Sequence, residues 1–214
     1  MSQNPEQITL TIKRGPFDNK PRQLILDPTF ISFEDDESST KSLTKFEKNS
    51  ITAYRFGVKW IRGFEFTVGR EYQIFIRNNE GKILKINFKS FYGRKKQENY
   101  EKYIKIINTL WVFYFSDITN NLLQQFNETK EFDIGAVKFK REGLEINIAG
   151  LIKEEKKQIL WDQVATRDYQ TYFAIYSLDD KSKINRTYNY LSDWNTGVLY
   201  SAVRTILKIR DENN

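Results

Sequence analysis

The sequence predicts an α+β, mainly β chain: two bodies of antiparallel strands, each closed by one C-terminal amphipathic helix. Three observations predict it. Apolar residues alternate at period two through much of residues 7–88 and 136–188. The period changes to three and four in 97–112 and again in 196–209. The hairpin YQIFIRNNEGKILKINF of 72–88 returns in outline 100 positions later as YFAIYSLDDKSKINRTY of 172–188.

QITLTI (7–12) alternates and reads as a strand, followed by a Gly- and Pro-marked loop, KRGPFDNKPR (13–22). QLILD (23–27) and FISFE (30–34) read as strands joined by a turn at Pro28–Thr29. In SITAYRFGVKWI (50–61), Tyr54, Phe56, Val58 and Trp60 share one face. FEFTVG (64–69), YQIFIR (72–77) and KILKINF (82–88) continue the series, and Gly81 sits in a turn where a positive φ costs little. In 97–112, Tyr100, Tyr103, Ile104, Ile107, Leu110 and Trp111 form a helical stripe. The run WVFYF (111–115) ends it. Trp111 and part of the run complete a first core, while Phe113 and Phe115 are expected to pack between two repeats.

A polar, partly helical connector follows at 116–130. The pattern then restarts with AVKFKREGLEINI (136–148), a strand, a turn at Arg141–Gly143 and a strand. Val137, Phe139, Leu144 and Ile146 fall on Leu24, Leu26, Ile31 and Phe33. ILWDQVATRDY (159–169) matches the region from Lys48. The closing helix sets Val198, Leu199, Ala202, Val203, Ile206 and Leu207 on one face. The division expected is a first domain at 1–115 with an extra N-terminal strand, a connector at 116–134 and a second domain at 135–214.

Composition excludes several chemistries. The chain of 214 residues has no Cys and no His. Disulfides, thiolate nucleophiles, Ser-His-Asp and Cys-His catalysis and the usual zinc sites are therefore impossible. No P-loop or GxGxxG occurs. EDDE (34–37) lacks the alternation and central Gly of an EF-hand, and SSTK (38–41) fits S-x-x-K without its companion motifs. No stretch approaches the ~18 apolar residues of a membrane span, and the N-terminus lacks the pattern of a signal peptide, so a cytoplasmic protein is expected, with a Lys-, Asn- and Ile-rich composition of bacterial type. The net charge of +6 is unevenly placed: residues 1–115 hold 20 Lys/Arg against 13 Asp/Glu, and the rest is near neutral. A basic half is suited to an anionic partner.

The stretch VKFKREGLEINI followed by ILWDQVATRDY, with Gly143, Trp161, Asp162 and Val164, resembles small bacterial members of the pleckstrin-homology-like superfold. The first half has Asn49, Ser50 and Ile51 where that Trp-Asp signature falls, and Pro28–Thr29 in place of the Gly turn. The resemblance covers roughly residues 23–112 and 135–209. It implies two bent antiparallel barrels or sandwiches, each capped by a C-terminal helix. It also implies a non-catalytic binding scaffold that engages another protein, with no cofactor and no small-molecule substrate. Inositide recognition by such folds needs several cations in the first strand-to-strand loop. On this reading that loop is DPT (27–29) or KREG (140–143), which carry too few.

The candidate binding surface is a basic face of the first half. With Leu84, Ile86 and Phe88 inward, Lys85 and Lys89 point outward, as do Phe75 and Arg77 on the preceding strand. Cross-strand pairing would gather them, and GRKK (93–96) adds Arg94, Lys95 and Lys96. Such a face suits an acidic protein, an anionic membrane or nucleic acid, and it equally describes a solvated sheet that uses Lys against edge pairing.

Overall fold

A strand that is apolar at every second position must pair and bury one face. The computed structural model describes residues 6–35, 43–149 and 154–212, and these form four antiparallel sheets. The chain divides into two units between Ser116 and Asp117.

In the first unit, β1 (Ile8–Ile12), β2 (Arg22–Leu26), β3 (Phe30–Phe33) and β4 (Thr44–Glu47) pair in sequence order. A single 3-10 turn leads to a second sheet of β5 (Ile51–Gly63), β6 (Phe66–Asn78) and β7 (Ile83–Phe91). Leu24, Leu26, Ile31 and Phe33 of one sheet and Ile74, Ile76, Leu84 and Ile86 of the other are fully buried. Each such side chain contributes about 1.5–3 kcal/mol by leaving water. The helix α1 (Lys96–Leu110) follows. Its Tyr103 ring meets Tyr72 at 5.2 Å and Phe56 at 6.5 Å, which joins the helix to the β5–β7 sheet.

The buried stripe of α1 is Asn99, Tyr103, Ile106, Thr109 and Leu110, rotated from the one the sequence suggests. Tyr100 is exposed. Polar Asn99 takes its place because its side-chain amide donates to the Lys89 carbonyl at 3.2 Å, which removes the cost of burying it. The aromatic run then forms a π-turn, Trp111–Phe115. The Tyr114 hydroxyl lies 2.6 Å from the Asp27 carbonyl oxygen and 2.7 Å from that of Phe30, and its one proton is shared between them. Phe115, expected between repeats, instead stacks on Tyr54 in the first unit's core at 3.4 Å.

The segment expected as a connector is structured. It holds α2 (Ser116–Thr129) and β8 (Phe132–Ile134). In the second unit β8, β9 (Val137–Lys140), β10 (Gly143–Ala149) and β11 (Glu154–Leu160) form one sheet. The other holds β12 (Val164–Asp168), β13 (Tyr172–Ser177) and β14 (Asn185–Asn189), and α3 (Thr196–Glu212) follows. β8 stands where β1 stands, so the N-terminal strand is no extra element but the first of four. Val198, Leu199, Ala202, Val203 and Ile206 of α3 are buried, and Leu207 is half-buried.

Equivalent contacts measure the internal repeat. Val137, Phe139, Leu144 and Ile146 are fully buried, as are Leu24, Leu26, Ile31 and Phe33, 113 positions earlier. The bond from Lys48 N–H to the Thr29 carbonyl recurs from Trp161 to Glu142. Beyond that turn the offset drops. Asn79 donates to Ser50 as Leu178 donates to Gln163, so the later strands match at 99. Phe173 and Ile175 face the core, matching Ile74 and Ile76. The offset of 100 read from sequence is one residue out at β13, and in a strand one residue exchanges the faces. The lost positions lie in one hairpin: Ile51 to Asn78 takes 28 residues, Val164 to Ser177 only 14. β6 is also one strand where the sequence suggests two. Gly69 lies within it because an added Cβ would meet the Ser90 carbonyl oxygen. No helix among the described residues is long and apolar enough to cross a membrane.

Candidate binding surface

Alternation along β5, β6 and β7 leaves one face of their sheet outside the core. Register pairs Arg55 with Phe75 and Phe75 with Lys85 across the three strands. The Arg55 guanidinium lies 4.7 Å from the centre of the Phe75 ring and the Lys85 ammonium 5.7 Å from it. An aromatic ring is thus flanked by two cations drawn to its electron-rich face. Arg77, paired with Ala53 and Ile83, lies two residues further along the same face. Sequence reasoning had three of these four. Arg55 was legible too, since it alternates with inward Tyr54 and Phe56.

The other predicted residues separate from this row. Lys89 faces Glu71 across the ladder and pairs with it at 3.6 Å. Glu71 also accepts a hydrogen bond from the Asn87 amide at 3.1 Å, so the charge of Lys89 is locally balanced. Arg94, Lys95 and Lys96 are exposed in and just after the turn into α1, where Lys95 takes a left-handed φ of 53°. The seven residues therefore do not make one patch.

Arg94, Lys95 and Lys89 instead line a cleft of about 430 Å³ with Lys13 and Lys102, between the β1–β2 loop and the start of α1. Glu98 is the acid on its wall, 3.8 Å from Lys102. Such a cleft can hold a phosphate or carboxylate group. It also corrects the loop assignment. The first strand-to-strand loop of the first unit is residues 13–21, with Lys13, Arg14 and Lys20, and not Asp27–Thr29. Arg22 ties this loop down through Asp18 at 2.9 Å, and that hydrogen bond holds the Asp18 carboxyl below its ordinary range. In the second unit the same loop is only Gly135–Ala136.

The longer β5–β6 hairpin carries a further surface that sequence reasoning missed. Trp60 was expected inward with Tyr54, Phe56 and Val58. It does lie on their face, but past the part that α1 covers, and it is 45% exposed. The Arg70 guanidinium stacks over it at 4.3 Å. At the turn, Phe64 is fully exposed with φ 52°, and Phe66 is 74% exposed. Tyr92, also exposed, continues the β7 pairing by donating its N–H to the Val68 carbonyl.

Four buried phenols are perturbed in the cores. Burial pushes those of Tyr54, Tyr103, Tyr114 and Tyr188 upward, so all four are uncharged at neutral pH. Among the described residues no three acidic side chains gather as they would to hold a metal ion. SSTK, and EDDE beyond Asp35, lie outside the described residues. Comparison with known proteins finds no family model, no curated protein and no solved structure that matches the chain.

Proposed function

We propose that the chain is a non-catalytic binding protein, built from two pleckstrin-homology-like units, that docks a protein partner on the outer face of β5–β7 in its first unit. Four strands, then three, then a helix, given twice in the same order, support the likeness to that superfold. The observation that carries the docking site is the row Arg55–Phe75–Lys85. An aromatic ring held between two cations offers apolar area and charge together, and aromatic residues and Arg are enriched at protein interfaces. The complementary surface is acidic, with an apolar group over Phe75.

The test is capture on the immobilised full chain from the cells that make it, identification of the partner by mass spectrometry, and titration with the purified partner. The reading expects Arg55→Glu with Lys85→Glu to weaken binding at least about tenfold, as charge reversal at an interface does. An affinity unchanged by that double substitution would sink it. So would retention of nucleic acid alone.

A further inference from the structure

We infer that the β5–β6 hairpin of the first unit is an anchor for an anionic lipid surface. The hairpin takes 28 residues where its counterpart in the second unit takes 14, so the distal half lies beyond what the shared fold needs. That distal half carries two largely exposed Phe side chains, Phe64 and Phe66, and a half-exposed Trp60 under the Arg70 guanidinium.

Their order along the hairpin points to a bilayer. Phe64 and Phe66 are at the turn, both largely exposed. Trp60 and Tyr92 come next, and with Arg70 and Lys96 they line one shallow cleft of about 370 Å³. Trp60 lies four residues below Phe64, roughly 13 Å at the rise of a strand. The sequence is therefore phenyl rings outermost, amphipathic Trp and Tyr below, cations around them. This is the depth profile of a membrane interface, where Trp and Tyr sit at the headgroups and Lys and Arg meet lipid phosphates. Lys59, Arg62 and Arg70 are set against two acids, Glu65 and Glu71, of which Glu71 is the cross-strand neighbour of Lys59 and also pairs with Lys89. A protein partner would need pockets shaped to two protruding Phe rings, whereas an acyl interface takes them without shape. A nucleic acid would stack on aromatics spread across a sheet, not on a tip.

The test is sedimentation of the full chain with vesicles of phosphatidylcholine, alone or with about 30% phosphatidylserine. The expected result is binding to the anionic vesicles and little to the neutral ones. Phe64→Ala with Phe66→Ala keeps every charge and should lower binding about tenfold, because the inserted apolar area is lost. Arg62→Gln should lower it about fivefold. Tryptophan emission should shift to the blue on binding, and Trp60→Phe should abolish that shift while leaving Trp111, Trp161 and Trp194 in place. Phe64→Gly suits the left-handed backbone and serves as a second variant that keeps the turn. Absence of binding to anionic vesicles would overturn the inference. So would binding indifferent to both Phe substitutions, or preference for an oligonucleotide over the vesicles.

Discussion

Gly143 bears on the fold through what it lacks. An added Cβ would collide with the Ile159 carbonyl, so β10 and β11 approach closely only because no side chain stands there. Gly143→Ala should cost about 2–3 kcal/mol, read as a fall in the urea midpoint with an unchanged slope. The neighbouring Trp161 is buried and donates its indole N–H to the Lys140 carbonyl at 3.0 Å, which clamps the β9–β10 turn. Two residues read from sequence as marks of topology thus hold one corner of the second unit, while Asp162 between its neighbours is simply exposed. Glu145 gives the pH-dependent counterpart. The hydrogen bond from Lys140 at 2.6 Å, helped by Lys156, holds its carboxyl below the ordinary range. A carboxyl with a lower pKa folded than unfolded stabilises fully above its unfolded value, and that stability is lost as pH falls through the folded value. Glu145→Gln should therefore cost about 0.5–1 kcal/mol at pH 7 and flatten the stability profile below about pH 4.5. A variant with the wild-type acid profile would show that the pair contributes nothing.

The strands and their hairpin partners were legible because alternation and turn residues are local signals; strand ends and exact register were not. β1 and β5 come close to the segments that periodicity marks out. β6 does not, because Gly69 reads locally as a break and only the Ser90 backbone beside it shows why the strand needs glycine there. The slip at β13 has a similar origin. Tyr72 and Tyr172 align by eye, but Phe173 faces the core, and only cross-strand register distinguishes the two faces. The aromatic tip was hidden by the same rule that found β5, since period two cannot say where the covering helix stops. If the distal hairpin lies outside the core, replacing residues 61–69 with Asn-Gly should close a tight turn on the Trp60–Arg70 pair and leave the first unit folded. The thermal midpoint should move by no more than about 3 °C. A loss of more than about 10 °C would mean that the hairpin holds the sheet together.

Duplication explains why one chain needs two cores and lets their surfaces diverge. Both units bury the same four positions of their first sheet, and both open their last helix from a left-handed residue, Lys95 or Asn195. Only the first adds the long hairpin, the basic β1–β2 loop and the Arg55–Phe75–Lys85 row. The uneven charge of the sequence anticipated that asymmetry; the clustering of the charges needed the fold. The most direct measurement compares matched positions. Phe75 and Ala174, 99 residues apart, occupy equivalent outward sites in the two units. A photo-reactive benzoylphenylalanine at 75 should cross-link a protein partner in cells, and the same group at 174 should not. Equal adducts from both positions, or an adduct from 174 alone, would contradict the assignment of binding to the first unit's sheet.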